Sequence, residues 1–136
     1  MPGDRFLDSN ILIYALADDP LRTPIAEKIM IEGGVVSVQV LNEIANICSR
    51  KLRMPPTEIH HALRTVRAYC KVVPITEELP TLALSIMERY TLSYFDALIM
   101  ATALSEDCNV VLSEDMHHGL KILKTRIVNP FVNSER

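Results

Sequence analysis

A chain of 136 residues, 49% hydrophobic and 23% charged, has the balance of one globular domain, and residues 1–136 are expected to form it. This apolar content excludes an intrinsically disordered chain. With 14 Lys+Arg against 17 Asp+Glu, the formal net charge is −3, so a nucleic acid would have to be met by a local basic patch or through metal ions. The uncharged stretches 33–42 and 97–105 are far shorter than the ~18 residues of a membrane span. Asp4, Arg5 and Asp8 interrupt any secretory leader. Cys48, Cys70 and Cys108 form no CxxC pair and are read as core thiols of a reducing cytoplasm.

In chain order, residues 5–7 read as a short strand ending at Asp8, followed by helical patterns over 11–16 and 21–32, the second stopped by Gly33-Gly34. Residues 35–38 read as a second strand and 39–52 as a helix ended before Pro55-Pro56. A helix from Pro56 to about residue 70 leads into a third strand, 71–75, placed at a sheet edge because Pro74 cannot donate to a ladder. Helices over 76–90 and 93–106 precede a fourth strand, 109–113, and a short fifth, 126–128. Apolar strands alternating with helices predict an α/β fold with a mainly parallel sheet covered on both faces. Ligands of such sheets bind beyond the carboxyl ends of the strands.

Carboxylates fall at those ends. Asp8 follows the first strand, Glu43 lies near the start of the helix after the second, and Asp115 follows the fourth. Asp96 stands in the first turn of the helix over 93–106. If strands one, two and four are neighbours, the four acids meet at one rim. Each also has a plain structural reading: Asp8 as a helix cap, Asp96 as a first-turn acid paired with Ser93, Glu43 as a solvated side chain, Asp115 as a turn residue. In the helix over 39–52, Leu41, Ile44, Ala45, Cys48 and Leu52 make the apolar stripe, and Gln39, Glu43, Asn46 and Arg50 a polar one. The helix after Asp96 is apolar nearly all round, which predicts a buried helix whose entry acid is not freely solvated.

Clustered carboxylates repel unless some stay protonated or a cation joins them. Mg²⁺ or Mn²⁺ suits oxygen ligands, and no zinc spacing is present. A hard cation at an open, acidic rim points to phosphodiester hydrolysis.

These segments resemble the motifs of PIN domains. Phe6-Leu7-Asp8-Ser9-Asn10-Ile11-Leu12-Ile13-Tyr14 is similar to the opening motif and Gln39-Val40-Leu41-Asn42-Glu43 to the second. Ser93-Tyr94-Phe95-Asp96-Ala97 and the apolar run after it resemble the third, and Val111-Leu112-Ser113-Glu114-Asp115-Met116 with Gly119 the fourth. The motifs come in family order and cover nearly the whole chain. The compact form is most similar to VapC-type toxins of toxin–antitoxin pairs. That resemblance implies an α/β/α sandwich, a Mg²⁺- or Mn²⁺-dependent endoribonuclease, a homodimer, and inhibition by a small antitoxin. It also implies Asp8, Glu43, Asp96 and Asp115 as the catalytic, metal-holding quartet. Asn10 and Ser113 match flanking polar positions that orient acids or waters. Glu114 adjoins Asp115, and the family pattern favours Asp115 as the acid facing inward.

The expected substrate is RNA in single-stranded loops, whose base edges are not hidden in an A-form duplex. Asp8, Asp96 and Glu43 would hold the principal metal, and no histidine is needed as general base. His60-His61 reads as a surface or partly buried pair, and His117-His118 as a loop pair with RNA phosphate as the functional alternative. Arg50, Lys51 and Arg53 read as a solvated helix end, with RNA contact as the alternative. The apolar patterns over 21–31 and 63–69 are core-facing stripes or, alternatively, surfaces for a dimer or antitoxin. A binding module of the same fold without catalysis is the competing function. A haloacid-dehalogenase-type phosphatase would need Asp where Asn10 stands, and a receiver domain would need an acceptor aspartate after the third strand.

Overall fold

The structure is a computed structural model that describes residues 2–132. A short 3-10 turn at Pro2–Asp4 leads into β1 (Arg5–Leu7), α1 (Ser9–Leu16), α2 (Arg22–Glu32) and β2 (Val35–Ser37). Then come α3 (Val38–Arg50), α4 (Pro56–Tyr69), β3 (Lys71–Val73), α5 (Glu78–Arg89), α6 (Tyr94–Ser105) and β4 (Val110–Leu112). A hairpin of β5 (Lys121–Ile122) and β6 (Thr125–Val128) follows. The six strands form one sheet in the order β3-β2-β1-β4-β6-β5, parallel except for β5 against β6. Helices α1 to α4 pack on one another and α5 packs on α6, and together they flank the sheet. No helix among the described residues is long and apolar enough to cross a membrane.

The strands are short and apolar because the sheet is covered. Phe6, Leu7, Val36, Val111 and Ile127 are all buried, as parallel strands between helices require. Helix α6 is buried from Ala97 through Thr102 to Ala103, so its all-round apolar sequence reports its position. The helices start where the local chemistry says. Ser37 caps α3 by accepting from the Val40 amide (3.3 Å), and Ser93 caps α6 by accepting from the Asp96 amide (3.2 Å). Gly33, at φ 87°, ends α2 with its amide donating to the Ile29 carbonyl (3.0 Å), and Arg5 on β1 donates to the same Ile29 carbonyl (2.7 Å) and to that of Gly33 (2.8 Å).

Gly34 has a different task. A Cβ there would lie 2.9 Å from Leu7 Cγ and 3.1 Å from the Arg5 carbonyl oxygen, so β1 and β2 approach only across a bare Cα. Gly34→Ala is expected to cost about 1–3 kcal/mol, as overpacked sites do. Denaturant unfolding checks it, and an unchanged midpoint would contradict the close approach.

Several element boundaries differ from expectation. Val38 belongs to α3 rather than to the second strand, because the Ser37 cap starts the helix one residue earlier. The third strand stops at Val73, before Pro74, and does lie at the sheet edge. Leu52 is exposed rather than part of the buried stripe, because α3 ends at Arg50. Leu21, Ile31 and Tyr69 are likewise exposed, at the ends of their helices. Cys48, Cys70 and Cys108 are buried free thiols, and burial pushes each above the usual thiol range.

Candidate functional site

The chain runs from β1 to β2 to β3 on one side, then returns to place β4 on the other side of β1. The order therefore reverses between β1 and β4, where an open parallel sheet leaves a crevice beyond its strand ends. Register brings the ends level: Phe6 stands beside Val35 and Val111, and Leu7 beside Leu112. The Asp8 amide continues the ladder to the Leu112 carbonyl (3.0 Å), and the Ser113 amide does so to Val128 (3.0 Å). Asp8 and Ser113 thus face each other across the switch point.

Asp8 is 4% exposed. Its Oδ1 accepts from the Ser9 amide (2.8 Å), so it does cap α1. Its Oδ2 accepts from the Ser113 hydroxyl (2.7 Å) and from Asn10 Nδ2 (3.2 Å). Burial pushes its carboxyl up to about 6. The bonds from Ser113 and Ser9 oppose that rise, and the charges of Glu43 and Asp96 add to it. The cap alone does not account for this placement, because an N-cap aspartate works equally well in water.

Glu43 and Asp115 are linked to Asp8 by short polar chains. Ser9 Oγ donates to Glu43 Oε2 (2.7 Å), so adjacent groups of one residue hold both carboxylates. Gln39, one turn earlier on α3, reaches Glu43 Oε1 at 3.4 Å. Asn10 Nδ2 lies 3.2 Å from Asp115 Oδ2 and 3.3 Å from Ser113 Oγ, so this amide bridges Asp8 and Asp115. Asp96, half-buried at the entry of α6, is raised by burial and by the charge of Asp115, against the bond from Ser93. Asp8 therefore feels the charges of Glu43 and Asp96, and Asp96 that of Asp115, while Asn10 and Ser113 lie between Asp8 and Asp115.

Glu114 points elsewhere. Its Oε1 accepts from the Tyr14 hydroxyl (2.7 Å) and its Oε2 from Arg22 Nε (2.5 Å). The acid that shares the Asn10 amide with Asp8 is Asp115. Ser9, Gln39, Tyr14 and Arg22 were not singled out as site residues. Ser9 alone carried a signal, as the hydroxyl between a strand-end aspartate and Asn10. His60 and His61 are exposed, and His118 Nδ1 accepts from the Asn129 amide (2.9 Å), which gives it a loop-holding role.

Among the described residues, no three His, Cys, Asp or Glu side chains gather tightly enough to enclose a metal ion. The donor set still fits a hard, largely hydrated cation. It is all oxygen, it is open at Asp115, and the Asp8 carboxyl, raised chiefly by burial, is raised further by the charges of Glu43 and Asp96. Soft or nitrogen-seeking metals find no ligand there.

Searches of curated proteins by sequence return no match. Several solved structures match, and two of them share the fold as follows. A toxin-antitoxin complex from Klebsiella pneumoniae superposes with a TM-score of 0.70 at 16% identity, covering 93% of this chain and 98% of that one. VapC20 of Mycobacterium tuberculosis, described as a Sarcin-Ricin loop cleaving toxin, superposes with a TM-score of 0.65 at 16% identity, covering 82% and 89%. The PIN domain model matches residues 5–119, the stretch that carries Asp8, Glu43, Asp96 and Asp115, and the chain accordingly belongs to the PIN domain family.

Proposed function

We propose that this chain is a divalent-metal-dependent endoribonuclease, the toxin of a toxin–antitoxin pair, acting in the cytoplasm as a homodimer restrained by a small antitoxin. The observation that carries the reading is Asp8, a nearly sealed carboxylate raised to about 6 at the switch point of a PIN fold, with three more acids around it. Capping α1 does not require such burial, whereas a cation-binding hydrolase is served by it. The two similar structures, one a toxin-antitoxin complex and the other a Sarcin-Ricin loop cleaving toxin, support the same reading.

Asp8, Glu43, Asp96 and Asp115 would hold Mg²⁺ or Mn²⁺. Bound there, the ion supplies an activated water and neutralises charge on the phosphoryl group. The rest falls to the chain itself. Ser113 and Asn10 fix the Asp8 carboxylate from one side, and the Ser9 amide fixes it from the other. The Ser9 hydroxyl sets Glu43, so one residue holds both carboxylates. Single-stranded RNA loops are the substrate class, since the reacting phosphate must enter a crevice at a strand end.

Labelled structured RNA incubated with Mg²⁺, Mn²⁺ or chelator tests the reading. Discrete cuts are expected with either ion and none with chelator. Asp96→Asn keeps the Ser93 cap, since the cap is made to the backbone amide of residue 96, and is expected to remain folded but inactive. RNA binding without cuts, across a broad set of RNAs, would favour the non-catalytic binding module. Cuts that survive chelator would contradict metal dependence.

A further inference from the structure

The loop after β4 is fixed at several points, and the strongest is Glu114. The Ser113 amide bonds to Val128 and the Glu114 amide to Asn10 Oδ1 (3.1 Å). Both carboxylate oxygens of Glu114 are then gripped, one by the Tyr14 hydroxyl and one by Arg22 Nε. The side chains of Arg22 and Glu114 are only 22% and 19% exposed, which separates this pair from ordinary surface ion pairs. The Arg22 guanidinium also lies 5.5 Å from the Tyr14 ring centre and 5.8 Å from that of Phe131. Tyr14 and Phe131 meet edge to face at 5.3 Å.

Asp115, by contrast, is exposed and meets the rim through the amide of Asn10 at 3.2 Å. Its neighbour's side chain is bound towards α1 and α2. Turning Glu114 that way directs Asp115 towards Asp8. We propose that Glu114, gripped by Arg22 and Tyr14, is a positioning residue that holds Asp115 at the acidic rim. The proposal rests on the reading of that rim as a cation site. Arg22 has a second effect, because it neutralises a fifth acid close to a rim that already holds four.

The test uses the full chain with Glu114→Ala and Arg22→Gln, each in the wild-type and in an Asp115→Asn background. Mn²⁺ affinity is read by electron paramagnetic resonance, alongside Tm and the Mn²⁺ dependence of RNA cleavage. Loss of an orienting partner is expected to weaken Mn²⁺ binding about tenfold where Asp115 is present. Little further change is expected where residue 115 is Asn, since coupled residues are non-additive. Arg22→Gln is the sharper variant. Removing a positive charge would by itself tighten cation binding, so weaker binding there reports position rather than field. Arg22→Lys, which keeps the charge, is expected to restore part of the affinity.

Equal losses in both backgrounds, tighter binding in Arg22→Gln, or a lowered Tm with unchanged Mn²⁺ affinity would each overturn the proposal. Coupling in Mn²⁺ binding without RNA cleavage by the wild type would overturn the nuclease reading and leave the positioning role standing. A wild-type chain that binds no Mn²⁺ overturns both.

Discussion

Asp8→Asn is expected to abolish RNA cleavage and at the same time to stabilise the chelated protein at pH 8. Both effects come from one carboxylate. The Asp8 carboxyl moves from an ordinary value of 3.8 to about 6 on folding, chiefly through burial. A group raised in this way contributes stability that is complete below its unfolded value and is lost as pH rises through its folded value. The loss therefore runs from about pH 4 to somewhat above pH 6. Two pH units correspond to about 3 kcal/mol. Asn removes the charge and still caps α1, because Asn and Asp cap almost equally well. Part of the gain is offset, since Asn10 Nδ2 donates to the Asp8 oxygen that an amide nitrogen would replace. A net gain of about 1–3 kcal/mol at pH 8, fading by pH 4, is the expected outcome of denaturant unfolding. Cleavage is expected to fall by at least about a hundredfold, since removing even an indirect partner of a metal costs 10–100-fold. A variant that is less stable at pH 8, or that still cuts RNA, would show Asp8 to be a helix cap and no more.

A large stability loss is expected at Phe131. Its side chain is fully buried near the end of the described residues, edge-on to Tyr14 and beneath the Arg22 guanidinium. The Phe131 amide is held by Asn129 Oδ1 (2.9 Å), which turns the chain inward just after β6. Phe131→Ala opens a cavity and removes an aromatic pair, at about 3–5 kcal/mol. For a chain of this size the Tm should fall by more than about 10 °C. Phe131→Leu should recover most of it, because volume-conserving changes cost less than about 1.5 kcal/mol. The site is expected to follow, since Tyr14 and Arg22 hold Glu114 from the same cluster. A Tm lowered by only a degree or two in Phe131→Ala would show that this end of the chain is peripheral.

Most of the sheet was legible because β1, β2 and β4 are short apolar runs ended by a polar residue with a task. Asp8 and Ser37 begin the helices after β1 and β2, and Ser113 follows β4. The four acids stood out for a related reason: Asp8 and Asp115 sit just beyond strands, Glu43 lies in the second turn of the helix after β2, and Asp96 opens an apolar helix. The β5–β6 hairpin was not fully legible. Its turn places Leu123 at φ 53°, a conformation normally announced by Gly or Asn, and β5 has two residues and so no period. The choice between Glu114 and Asp115 was likewise closed to local reading. It is made by Tyr14 and Arg22, 100 and 92 residues away along the chain, through contacts that only the fold creates. Ser9 joins Asp8 to Glu43 across a separation of 34 residues, again a tertiary fact.

The most direct test of the acidic rim is the unfolding free energy of the chelator-stripped chain at pH 5 and pH 8, with and without Mn²⁺, for wild type and Asp8→Asn. Binding to the folded state alone stabilises by about 2.7 kcal/mol at a hundredfold excess over Kd. Mn²⁺ is expected to stabilise the wild type clearly at pH 8, much less at pH 5 where Asp8 takes up its proton, and scarcely at all in Asp8→Asn. Equal stabilisation of both proteins, or none of either, would contradict a cation site built around Asp8.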